Sequence, residues 1–215
     1  MSIERVIPIF PLNVVLFPEM ILPLHIYEER YRIMIGNCLK GSGEFGVVYY
    51  DGTEIRKVGC TASITRVLNH YDDGRMDILT TGSWRFHIEE LIESRPYMEA
   101  RVMVLNDREG GSVKELIDLA REGIRQLEEL QRFVGSQIDL GSLSRMELDD
   151  FSFILASNDL LTAEDKQRFL EMTSTGDRIR ESTASLRNII WRLRMKAELR
   201  RTFSTRESAA GDTRH

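Results

Sequence analysis

Between Phe45 and Val104, several short segments alternate apolar and polar positions. Phe45 to Tyr50 is a run of strand formers that ends at the turn signal Asp51-Gly52. Val58, Cys60, Ala62 and Ile64 then alternate with polar partners, as a half-buried strand requires. Asp72-Asp73-Gly74 marks the next turn. After it, Met76 and Ile78 alternate, then Trp84, Phe86 and Ile88, then Met98, Ala100, Val102 and Val104. Short strands at this spacing predict a small barrel or a folded-over antiparallel sheet. One helix interrupts them: Tyr27, Tyr31, Met34, Ile35 and Cys38 follow helical spacing, and Gly41 stands where a terminating glycine belongs.

After Asp107 the period changes. Ser112 offers a helix start, and Val113, Ile117, Ala120, Ile124 and Leu127 form one apolar face. Gly135 to Ser144 is a break. Met146, Phe151, Ile154 and Leu155 open a second helix, and Thr162-Ala-Glu-Asp165 is a capping pattern for a short third one. A long last helix is expected from about Thr175 to Arg201, with Leu186, Ile190, Leu193 and Ala197 on one face. The expected organisation is a β unit over 1–107, a helical unit over 108–201 and a disordered polar tail over 202–215.

Composition narrows the class. Hydrophobic residues are 42% of the 215-residue chain and charged ones 29%, which suits a globular fold. The two cysteines, Cys38 and Cys60, rule out a disulfide scaffold. No apolar run approaches the ~18 residues of a membrane span, and Met1 is not followed by a secretory pattern. A reduced, cytoplasmic protein without membrane contact is expected. The net charge of −5 makes non-specific nucleic-acid binding a poor default. The charge is uneven, however: residues 178–206 carry nine basic residues against Glu181 and Glu198.

Familiar chemistry is missing from the pattern. There is no P-loop for ATP. Gly41-Ser-Gly-Glu-Phe-Gly46 matches G-x-G-x-x-G, but it follows a helix and precedes a strand, the reverse of the dinucleotide context. His25, His70, His87 and His215 are far apart, the cysteines lie singly, and no metal site or cofactor is expected. No nucleophile elbow occurs, and the five lysines lack a surrounding dyad motif, so no catalytic residue is assigned.

The opening carries the strongest signal: Ile7-Pro-Ile-Phe-Pro-Leu-Asn-Val-Val-Leu-Phe-Pro-Glu-Met-Ile-Leu-Pro-Leu-His-Ile-Tyr-Glu-Glu-Arg-Tyr31. Pro11, Leu12, Val15, Phe17, Pro18, Pro23 and Leu24 resemble the opening of the N-terminal substrate-binding domain of Lon, the ATP-dependent protease La. Phe10 to Asn13 and Ile26 to Tyr31 look most like stand-alone bacterial proteins of that type. Later segments agree in order: Phe45 to Val48, Val58 to Val67 with Cys60 where Thr is more usual, Thr81 to Phe86, and Pro96-Tyr97. Leu148 to Ala156 and Lys166 to Met172 look like the helical part. The resemblance covers about residues 5–195. It implies an α+β fold, a PUA-like β-barrel followed by a C-terminal helical bundle. Full Lon proteases add an ATPase module and a Ser–Lys protease domain, and this chain ends before either would fit. A non-catalytic module is therefore expected, one that recognises unfolded or extended polypeptide, with a separate protease or chaperone as partner if it works as an adaptor.

Two surfaces are candidates for binding. The first is a peptide groove of Pro23, Leu24, His25, Tyr27, Arg30, Tyr31, Tyr49 and Trp84. Pro8, Pro11, Pro18 and Pro23 each remove a backbone donor, so these strands belong at edges. They serve either as a folding signature or as an open edge that accepts a strand. Tyr27 and Tyr31 either pack their helix on the barrel or line the groove. Trp84 shares a face with Phe86, opposite Arg85. Of Tyr49 and Tyr50, one is expected to be exposed. The second surface is basic: Arg187, Arg192, Arg194, Arg200 and Arg201. It is either a solvated face paired with acids such as Glu128, Glu129, Asp149 and Asp150, or a contact for an acidic protein or RNA. RNA binding through barrel and helix is the alternative function.

Overall fold

A computed structural model describes the backbone of residues 4–135 and 139–211, with side chains as far as Arg200 except that of Leu140. Strands β1 (Glu4–Leu12), β2 (Ile21–Ile26), β3 (Glu44–Tyr50), β4 (Ile55–His70), β5 (Met76–Ile92) and β6 (Glu99–Val104) precede a helical part, and helix α1 (Glu29–Lys40) lies between β2 and β3. The sheet order is β2-β5-β4-β3-β1-β6, and β6 pairs again with β5. That last pairing closes β1, β3, β4, β5 and β6 into a ring.

Strand β5 makes the closure possible. Met76 to Thr81 pairs with β2, and Phe86 to Ile92 pairs with β6. The two alternating segments of the sequence are thus one bent strand with a different neighbour on each half. Irregularities in the β4–β5 ladder near Cys60, Ile64 and Val67 accompany the bend. The β1–β3 pairing is parallel; the other ladders are antiparallel.

Ile7, Ile9, Val48, Phe86, Ile88, Ala100 and Val102 fill the ring. Glycine makes room for Phe86 there. A Cβ on Gly46 or Gly59 would stand 2.7 Å from the Phe86 ring, so the third glycine of the G-x-G-x-x-G run serves packing and not phosphate. Around the outside, α1 buries Tyr31, Met34, Ile35 and Cys38 against Phe10, Phe45, Val47 and Ile78. Tyr27 differs from expectation: it precedes α1 and is 62% exposed, because the helix starts only after Glu28.

The Phe17-Pro18-Glu19 corner is tied to the Thr81 to Phe86 segment. Glu19 adopts a left-handed conformation and its N–H donates to the Gly82 carbonyl at 2.9 Å, while Gly82 N–H donates to Met20 at 2.9 Å. The backbone approach is close enough that a Cβ on Gly82 would lie 2.0 Å from the Phe17 carbonyl oxygen.

The helices are α2 (Val113–Val134), α3 (Leu140–Leu143), α4 (Leu148–Ala156), α5 (Ala163–Glu171) and α6 (Thr175–Gly211). Ser112 and Glu115 form a reciprocal capping box at the start of α2, and Thr162 caps α5 by accepting from Asp165 N–H. Helix α6 passes Arg201, where its end was expected, and runs to Gly211. Residues 212–215 of the expected tail lie outside the described residues. Barrel residues Val15, Phe17, Tyr49 and Val58 pack with Phe153, Leu161, Phe169 and Leu170, so the helices cover one side of the barrel.

Candidate functional site

The sheet leaves two strand edges unpaired by described strands. β2 pairs only with β5, so its other edge is open. β1 pairs with β6 over Glu4 to Pro8 and with β3 over Ile9 to Leu12, so beyond Pro8 no strand lies on the β6 side. Pro11 and Pro23 sit on these edges, where a missing N–H breaks no ladder.

A cleft of about 480 Å³ lies between the two edges. Its floor is apolar: Phe10 and Leu12 from β1, Leu24 and Ile26 from β2, Ile55 from β4, and Met98. Phe10 and Tyr31 stack with ring centroids 4.0 Å apart, and the Arg30 guanidinium lies 4.5 Å from the Tyr31 ring centre. Burial raises the Tyr31 hydroxyl pKa, opposed by Arg30. The rim is polar: His25, Tyr27, Glu28, Arg30 and Tyr50. Arg30 is held by Glu28 at 2.9 Å, and the Tyr50 hydroxyl donates to the Gly52 carbonyl at 2.8 Å.

On the rim, His25 is anchored by Asp77, which lies outside the cleft lining. Its Nδ1 lies 2.6 Å from Asp77 Oδ1, and the same carboxylate accepts from Tyr71 at 2.7 Å and from Asn69 at 2.8 Å. Hydrogen bonding to His25, then to Tyr71 and Asn69, pulls the Asp77 pKa down to about 2.

Five of the eight groove residues expected from sequence come together here: Leu24, His25, Tyr27, Arg30 and Tyr31. Pro23 is exposed beside them on β2. Two expectations require correction. Tyr49 is buried against the helices, with its hydroxyl 3.4 Å from Glu164. Alternation puts its neighbour Tyr50 on the cleft side. Trp84 packs edge-on to Phe86 and under Arg5, on the ring cluster and away from the cleft. Sequence reasoning missed Phe10, Leu12, Glu28, Ile55 and Met98 as lining residues. The expectation that one of the two tyrosines is exposed was the available signal for Tyr50.

The basic residues are dispersed along α6. Arg187 pairs with Glu122 at 3.0 Å and Arg194 pairs with Glu129. Both are spent on α2. Arg192 and Arg200 are exposed, and the Arg201 side chain lies outside the described residues. Two further arginines, unassigned from sequence, are buried. Arg85 and Arg178 both donate to Asp107, and both also donate to the Met172 carbonyl, at 2.6 and 2.7 Å. This cluster joins β5, the loop after β6, α5 and α6.

Among the described residues that line the cleft there is no Ser, Thr, Cys or Lys. Cys38 and Cys60 are buried elsewhere, and burial pushes their thiols up to about 11 and about 12. Among the described residues no three His, Cys, Asp or Glu side chains are placed to hold a metal ion, and no helix is long and apolar enough to cross a membrane.

The model of the ATP-dependent protease La (LON) substrate-binding domain matches residues 6–188. The chain belongs to the LON substrate-binding domain family. It is 28% identical over 187 residues to a Lon protease of Cytophaga hutchinsonii, covering 80% of this chain and 23% of that protein. It is 29% identical over 191 residues to a Lon protease of Roseiflexus castenholzii, covering 84% and 24%. The chain thus spans about a quarter of the length of these curated relatives. Among solved structures, the N-terminal domain of Mycobacterium avium complex Lon protease superposes with a TM-score of 0.68 at 16% identity, covering 84% of this chain and 98% of that one. A Lon N-terminal domain protein from Xanthomonas campestris gives 0.62 at 20% identity, with the same coverage. The α+β architecture expected from the opening motif is the fold of these domains. In this LON domain, the motif residues Phe17, Gly82 and Phe86 are joints of the fold, and Leu12, Leu24 and Tyr31 line its cleft.

Proposed function

We propose that this domain holds unfolded or extended polypeptide in the cleft between β1 and β2, without cleaving it, as a cytoplasmic recognition module for a separate protease or chaperone. The observation that carries the reading is the pairing of two open strand edges with an aromatic-floored cleft. An extended segment would bond its backbone to an edge and place alternate side chains on Phe10, Leu24 and Tyr31. Such contacts are tolerant of sequence, and only part of the buried area becomes affinity. The family match over residues 6–188 supports a substrate-binding role. The pairing of Arg187 and Arg194 with α2 speaks against a dedicated RNA surface.

The test mixes the purified chain with fluorescently labelled, unfolded casein and follows anisotropy and fragment formation across a salt series. Binding with a Kd on the order of tens of micromolar, little changed by salt and without fragments, is expected. Binding that collapses with salt in favour of single-stranded RNA would overturn the reading, as would fragments in a protease-free preparation.

A further inference from the structure

The outer face of α6 carries an apolar stripe that no described residue covers. Trp191, Met195 and Leu199 are 61%, 37% and 59% exposed. Four-residue spacing stacks them in one line on the helix. The packed side of α6 is a different one: Leu186 and Ile190 are buried with Leu127 and Leu130 of α2. Arg187–Glu122 and Arg194–Glu129 advance together along both helices, so α2 and α6 run parallel and Trp191 points away from the bundle.

The stripe has free cations along one side; on the other stand two arginines already paired with α2 and the exposed Glu198. Helical rotation of about 100° per residue puts Arg187 and Arg194 to one side of Trp191, and Arg192 and Lys196 to the other. Arg192 and Lys196 are exposed and make no ion pair with another described residue.

We propose that this stripe is a docking seam for an acidic amphipathic helix of a partner protein, separate from the polypeptide cleft. The partner's apolar residues would cover Trp191, Met195 and Leu199, and its carboxylates would meet Arg192 and Lys196. Charge selects this occupant. A second copy would bring its own unpaired Arg192 and Lys196 against these. The stripe is one residue wide, narrower than the broad apolar face with which a helix lies in a membrane surface. A single line of large side chains with charged borders is instead the geometry of a helix–helix seam. Among the described side chains of α6, Arg192 and Lys196 are fewer uncommitted cations than an RNA site needs.

The test uses the full chain and a labelled synthetic helical peptide of roughly 18 residues, long enough to hold a helix, with a leucine seam bordered by glutamates. Controls are the same peptide with lysine borders, a single-stranded RNA and vesicles of phosphatidylglycerol and phosphatidylcholine. The glutamate peptide is expected to bind, and the lysine peptide is not. In a Trp84→Phe background, where Trp191 is the remaining tryptophan, its emission should shift to the blue on binding. Trp191→Ala, and Arg192→Glu with Lys196→Glu, should each weaken binding at least about tenfold, as central interface anchors do. Both should leave thermal unfolding and casein binding unchanged. Equal binding of both peptides, indifference to the variants, preference for RNA or vesicles, or a wild-type dimer that Trp191→Ala dissolves would each overturn the proposal.

Discussion

Arg178 places its Nη2 2.7 Å from Asp107 Oδ2, joining α6 to the loop that leaves the barrel. Arg85 reaches the other oxygen of the same carboxylate from β5 at 2.6 Å. Desolvation pulls the Arg85 pKa down, and Asp107 opposes it. Backbone carbonyls of Leu170 and Met172, the Ser152 hydroxyl and the Phe153 ring complete the shell of the two guanidiniums. The side chains of Arg85, Arg178 and Asp107 are only 2%, 0% and 12% exposed. Asp107→Ala therefore leaves two cations buried without a counter-charge, with only neutral partners. Loss of about 3–5 kcal/mol is expected in urea unfolding, and a loss below about 1 kcal/mol would contradict the assignment.

Gly82 gives a second stability prediction. Gly82→Ala would force the Phe17 carbonyl away from β5, since the new Cβ would start 2.0 Å from it. Backbone cannot swing aside as a side chain can, so the upper end of overpacking costs, about 3 kcal/mol, is expected. Thermal unfolding measures it.

Asp77 makes stability depend on pH at the acid end. Its pKa is lowered from 3.8 to about 2 by hydrogen bonds to His25, Tyr71 and Asn69. A depressed folded pKa stabilises above the unfolded value and loses that contribution as pH falls through the folded one. The unfolding midpoint should therefore fall between about pH 4 and pH 2, and Asp77→Asn should flatten that window. An equal slope in both proteins would show the carboxylate to be uncoupled from folding.

These sites also show what a sequence reading reaches. Alternation at Val58 to Ile64 and at Met98 to Val104 marks strands because each has one face in the core, and helical spacing identifies Tyr31, Met34, Ile35 and Cys38 as the buried face of α1. The same period put Arg85 opposite Phe86. It could not reveal that helices lie over that second face, so the burial of Arg85 was illegible. Ring closure was hidden too, because β5 exchanges β2 for β6 along its length. The cleft draws on Phe10, Leu24, Tyr50 and Met98, residues far apart in sequence that only the pairing of β1 with β3 and β6 and of β2 with β5 brings to one place.

The capping box of α2 is a local feature, legible in sequence, and its removal should have a local cost. Ser112→Ala removes the acceptor for Glu115 N–H and a partner of the Glu115 carboxylate. A loss of about 1 kcal/mol is expected in urea unfolding, with casein binding unchanged.

The central claim is that polypeptide binds between β1 and β2. Leu24→Arg tests it most directly, because Leu24 is half-buried in the cleft floor and an arginine there can carry its charge out to solvent. Val6→Arg, at an exposed position of β1 away from the cleft, is the control. Anisotropy of labelled unfolded casein should show affinity reduced at least about tenfold for Leu24→Arg and unchanged for Val6→Arg, with both variants folded by circular dichroism. Full affinity in a folded Leu24→Arg protein would contradict the account and move the binding surface elsewhere on the domain.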